Sequence, residues 1–138
     1  MRVIRAKNSD IIGMIQDHLI EDKDYTKEAM SKHMTAFMDD SPESFLAAVL
    51  IEEPLDIKGF LLAYIPPERK HLFVLQTWCD PELATTEWPK KLFDEVVSFA
   101  KENKLNEIRG ETLRSPEAIL RKWGFKTYST VITYELED

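Results

Sequence analysis

A chain of 138 residues, 43% hydrophobic and 10% aromatic, can fill one core but not two, so a single domain over 1–138 is expected. The 25 acidic and 18 basic side chains give a formal charge of -7, which argues against nucleic acid or an anionic membrane as the main partner. Cys79 stands alone, so neither an internal disulfide nor a cysteine metal cluster is available; with a charged start and no membrane-length apolar run, a cytoplasmic protein is expected.

Arg2 to Ala6 reads as a first strand. Ser9 or Asp10 caps a helix with Ile11, Ile12, Ile15 and Leu19 on one face. After the solvated run Glu21-Asp22-Lys23-Asp24, Thr26 caps a second helix whose apolar stripe is Ala29, Met30, His33, Met34, Phe37 and Met38. Asp39-Asp40-Ser41-Pro42 ends it.

Phe45 to Ile51 and Ile57 to Ile65 are strands, and the second is apolar at both parities, as a central strand covered on both faces would be. His71 to Cys79 is a further strand of the same kind. From Glu87 to Glu102 the period lengthens: Trp88, Leu92, Val96, Phe99 and Ala100 form a helical stripe widened by Phe93 and Val97. Thr86 is its expected cap, Pro89 falls in the first turn where a missing donor costs little, and Asn103 ends it. Ile108 to Leu113 is a short strand. Ser115-Pro116-Glu117 starts a helix running to Trp123, Gly124 closes it, and Lys126 to Leu136 is read as one last strand.

Several residues carry chemistry of their own. Glu82 and Glu87 lie where the strand ending at Cys79 hands over to the long helix, and either could deprotonate an amine; Glu87 equally complements the helix dipole. His71 is expected at a solvated strand end, and Cys79 in the core rather than as a nucleophile. His18 and His33 sit on separate helices without paired ligands, so no metal is expected. Trp88 and Trp123 anchor helices, unless Trp88 faces outward with Leu83 as a protein-binding patch. The basic set Arg109, Arg114, Arg121, Lys122 and Lys126 forms a rim able to meet a phosphate or an acidic partner.

The element order resembles the GCN5-related N-acetyltransferase (GNAT) family. Its most diagnostic stretches are the long helix after Cys79-Asp80-Pro81-Glu82 and the tail Ser115 to Phe125, where Gly-Phe follows a short helix. The resemblance implies an α/β fold, a mixed sheet flanked by helices, with acetyl-coenzyme A (acetyl-CoA) held between the splayed strands at 72–79 and 108–113. The implied reaction moves an acetyl group to an amine of a small molecule or protein; a protein partner or a second copy of the chain is a further candidate. Strand amides near Gln76 and Trp78 would orient the thioester, Thr85 and Thr86 would meet phosphate, Glu82 is a candidate base, and Tyr128 or Tyr134 a proton donor. The family's phosphate loop, Arg/Gln-x-x-Gly-x-Gly/Ala, falls on Ala84, Glu87 and Pro89, and its usual tyrosine on Leu120, so all four positions depart from the pattern. A carboxylate about 4 Å from a phosphate charge, at an effective dielectric near 20, opposes it by roughly 4 kcal/mol. The alternative reading is therefore a scaffold of this fold that has lost the cofactor and serves binding or structure.

Overall fold

The computed structural model of the chain describes residues 1–21, 25–54, 56–111, 126–128 and 131–136. Its elements run β1 (Arg2–Arg5), α1 (Asp10–Met14), α2 (Lys27–Asp40), β2 (Phe45–Glu52), β3 (Asp56–Tyr64), β4 (His71–Cys79), α3 (Trp88–Glu102), β5 (Glu107–Glu111), β6 (Lys126–Tyr128) and β7 (Val131–Glu135). The strands form one sheet in the order β1-β2-β3-β4-β5-β7-β6. Every neighbouring pair is antiparallel except β4 and β5, which α3 joins as a parallel crossover. This is the mixed α/β sheet that the sequence implies.

Helices cover both faces. On one, α3 buries Leu92, Phe93, Val96, Phe99 and Ala100 against Leu46, Ala48, Leu50, Leu61, Ala63, Leu72 and Ile108. On the other, Ile12, Ile15, Leu19, Met34 and Met38 pack on Phe45, Ala47, Phe60 and Leu62. β3 contributes to both layers, as its two-sided apolar pattern predicts.

Local departures have local causes. α1 has only five residues and passes into a 3-10 turn at Gln16–His18, because Gly13 and two consecutive isoleucines weaken a helix interior. Thr26 caps α2 as expected, accepting from the Ala29 amide at 3.1 Å. The buried stripe of α2 is Ser31, Met34 and Met38, while His33 turns outward and meets the edge of Tyr25, with ring centroids 5.5 Å apart. Over 126–136 the single expected strand is corrected to a hairpin, with Tyr128 opposite Val131 and Lys126 opposite Thr133. The helix expected from Ser115 to Trp123, with Leu120 and Gly124, lies outside the described residues, as do Arg114, Arg121 and Lys122.

Candidate functional site at the end of the fourth strand

β4 pairs with β3 from Phe73 to Cys79 but with β5 only from His71 to Val74, whose partner is Gly110. Among the described residues the parallel ladder ends at Val74, and the segment that follows β5, 112–125, lies outside them. The Asp80 amide donates to the Lys58 carbonyl at 2.8 Å, which sets the alternation along this antiparallel pair. Trp78 and Gln76, opposite Phe60 and Leu62, therefore direct their backbone groups to β3, and Thr77 and Cys79 direct theirs away from it, to the side on which β5 pairs with Val74. A register shift leaves Leu75 as the extra residue of a β-bulge, so that Leu75 and Gln76 both face the α1 and α2 layer. Neither Thr77 nor the bulge is legible in the sequence, because both depend on pairing with a distant strand.

The handover to α3 flanks the same end. Asp80 opens a 3-10 turn at Pro81–Leu83 and accepts from the Glu82 amide at 3.0 Å. The Thr86 hydroxyl donates to the Leu83 carbonyl at 2.6 Å and accepts from the Trp88 amide at 3.3 Å. Thr86 thus shapes the helix start, whereas the Thr85 hydroxyl makes no protein hydrogen bond among the described residues. Pro89 has no amide, Lys91 bonds to the Glu87 carbonyl, and the backbone amides of Thr85, Glu87 and Lys90 donate to no acceptor among the described residues. The Glu87 carboxylate, expected to oppose a phosphate, is exposed and paired with Lys91 at 3.3 Å; that ammonium also lies 4.4 Å from the Trp88 ring centroid. Leu83 and Trp88 pack against the core, so Trp88 anchors α3 as expected and the alternative of an outward apolar patch does not hold.

The side chains of Gln76 and Trp78 are engaged with the segment that follows α1. The Gln76 amide accepts from the Ile20 N–H at 3.1 Å and donates to the Ile20 carbonyl at 3.2 Å. Trp78 stacks on His18 with ring centroids 3.7 Å apart and planes 15° from parallel. Glu82 is exposed on its turn, within the same loop as Thr85 and Thr86. Tyr128 stands apart, on the edge strand β6, with β7 between it and β5.

Two groups fall to structural roles. Cys79 is half-buried, and desolvation, followed by the Asp80 charge, raises its pKa against an opposing backbone hydrogen bond, so it is a poor source of thiolate. His71, expected at a solvated end, is only 8% exposed; desolvation and the neighbouring Arg109 charge lower its pKa, more than Glu68 and Glu107 raise it. Among the described residues no cluster of His, Cys, Asp and Glu could hold a metal ion. A groove of about 590 Å3 lined by Gln16, Glu28, Ser31, Lys32, Thr35, Ala36 and Asp39 runs along α2 and includes no residue of β4, β5 or α3. No helix of the described residues is long and apolar enough to cross a membrane.

No family model matches the sequence, and no curated protein matches it. Solved structures do. A GNAT-type protein from Desulfovibrio desulfuricans superposes with a TM-score of 0.74 at 12% identity, covering 97% of this chain and 98% of the other. The PaiA N-acetyltransferase from Thermoplasma acidophilum, solved in complex with coenzyme A, gives 0.71 at 15% identity, covering 99% and 100%. A GNAT-family acetyltransferase from Staphylococcus aureus gives 0.70 at 14% identity, covering 99% of each chain. At such identity the likeness establishes the architecture: this chain has the GNAT fold.

Proposed function

We propose that the protein is an N-acetyltransferase that uses acetyl-CoA and acts on an amine of a small molecule or protein. The observation that carries this reading is the end of β4, where the backbone of Thr77 and Cys79 turns away from β3 beside a helix start whose Thr85, Glu87 and Lys90 amides donate to no acceptor among the described residues. Acetyl-CoA supplies a thioester carbonyl already activated for acyl transfer. The amides of Thr85, Glu87 and Lys90, with the Thr85 hydroxyl, fit a diphosphate as donors at a helix start. The Thr77 amide is the group to orient the carbonyl oxygen. Glu82, exposed on the adjoining turn, is the candidate to take the proton from the amine, and the departing thiolate takes its proton from solvent, since Tyr128 stands on the far edge strand. The reduced state suited to the lone Cys79 makes the cytoplasm the proposed compartment.

A second reading, a scaffold that has lost the cofactor, draws on Pro89, whose ring replaces an amide in the first turn of α3. Calorimetric titration with acetyl-CoA separates the two. Micromolar binding with release of CoA in the presence of amines supports the enzyme; no binding at millimolar concentration leaves the scaffold. Within the enzyme reading the two threonines part company. Thr85→Val should weaken acetyl-CoA binding by about threefold to tenfold with little change in Tm, one hydrogen bond being worth about 0.5 to 1.5 kcal/mol. Thr86→Val should lower Tm through its two bonds at the helix start.

A further inference from the structure

One face of α2 is left open. Glu28, Ser31, Lys32, Thr35, Ala36 and Asp39 follow one another at three- and four-residue spacing and line the groove of about 590 Å3. Ser31 is only 7% exposed, and its hydroxyl finds no hydrogen-bond partner among the described residues, so a buried polar group faces the groove unsatisfied. The charges on this face lack partners too. Lys90 and Lys91 on α3 bridge to acids four residues away, yet Lys32 makes no ion pair with Glu28 at the same spacing, nor with any other acid among the described residues. Asp39 and Asp40 close α2 with no basic residue in its last turn, against the negative end of the helix dipole. The helix thus carries a cation without an acid and acids without a cation.

A second copy of the chain answers both. When two α2 helices cross antiparallel about a two-fold axis between Thr35 and Ala36, these small side chains meet their counterparts at the crossing and let the helices approach closely. Each Lys32 then falls opposite Asp39 of the partner subunit. The same register sets Ser31 opposite Asp40 of the partner subunit, an acceptor for the orphaned hydroxyl. Glu28 lies further out, where crossed helices diverge. The alternative register, in which Lys32 pairs with Glu28 of the partner subunit, centres the crossing on Met30, which packs inward, and leaves the two aspartates unanswered. We propose that α2 is the contact of an isologous dimer of this chain, closed by reciprocal Lys32–Asp39 pairs. This does not rest on the acetyltransferase reading above.

The test is sedimentation equilibrium of the whole chain from micromolar to millimolar concentration, with Tm measured for every variant. The wild type should pass from monomer to dimer in this range. Ala36→Arg, which places a long side chain at an exposed helix position, should stay monomeric with Tm unchanged. Lys32→Glu and Asp39→Lys should each weaken the dimer by about tenfold, since symmetry removes two pairs at once and sets like charges together. Combining Lys32→Glu with Asp39→Lys should restore the wild-type dissociation constant, whereas combining Lys32→Glu with Glu28→Lys should leave the dimer weak. The proposal is overturned if the wild type is still monomeric at millimolar concentration, which would leave the groove to a different protein or a small molecule. It is overturned equally if Ala36→Arg dimerises as the wild type does, or if Glu28→Lys restores what Asp39→Lys does not.

Discussion

Gly59 shows how one missing side chain sets the spacing around the site. A Cβ at this position would lie 3.0 Å from the Trp78 carbonyl oxygen and 3.1 Å from Leu92 Cδ1. The leucine methyl can rotate; the strand carbonyl cannot move without shifting β4. Gly59→Ala should therefore destabilise the fold by about 1 to 3 kcal/mol, the usual cost of overpacking, and a urea titration with an unchanged slope would show it. His71 acts through pH instead. Its lowered native pKa keeps the ring neutral in the fold, whereas the unfolded chain binds a proton as pH falls through about 6.5. The unfolded state then holds more protons, so this contribution is complete above that value and declines as pH drops toward the native pKa. His71→Gln should flatten the fall in Tm between pH 7 and 5.5; a variant that keeps the wild-type slope would assign it to other groups.

At the level of elements, α3 is held at both ends by different means. At its start Pro89 falls in the first turn as expected, but the cap position belongs to Glu87, which makes no side-chain cap bond, and Thr86, expected as the cap, sits one residue earlier and accepts from the Trp88 amide. At its end, Lys104 adopts φ 58°, and the Leu105 amide closes back on the Ala100 carbonyl at 2.9 Å. That is a left-handed closing turn with lysine where glycine is favoured. Lys104→Gly should stabilise the protein by about 0.5 to 1 kcal/mol, read as a higher Tm, because the backbone conformation is kept and its steric strain removed. Along the helix, Arg5 of β1 reaches Glu95 and bonds to Glu102 at 2.7 Å, with its guanidinium 5.6 Å from the Phe99 ring centroid, so the first strand and α3 are tied through the sheet's edge.

For the whole molecule, elements with strong period were legible and relations between distant elements were not. The stripe of α3, the Thr26 cap and the two-sided character of β3 follow from spacing that any reader of the chain can count. The β6–β7 hairpin was missed because Lys126 to Leu136 contains no glycine, asparagine or proline to mark a turn. In α2, the face that meets the sheet carries Ser31, Met34 and Met38 and leaves His33 outward, a choice that spacing alone does not give. The site suffers most from this limit. Gln76 and Trp78 were singled out, but their partners Ile20 and His18 lie some 56 and 60 positions away, and nothing in either segment announces the other.

The unequal flanks of β4 also divide the molecule mechanically. Among the described residues, one side is zipped to β3 along nearly its full length, while the other is joined to β5 by four opposed residues, with α3 spanning the seam. Local opening follows the fewest bonds, so hydrogen exchange along β4 should be fastest on the side where the described pairing with β5 ends. A molecule that wedges between those strands acts as a rivet, drawing the 1–80 lobe and the strands after α3 into one cooperative unit.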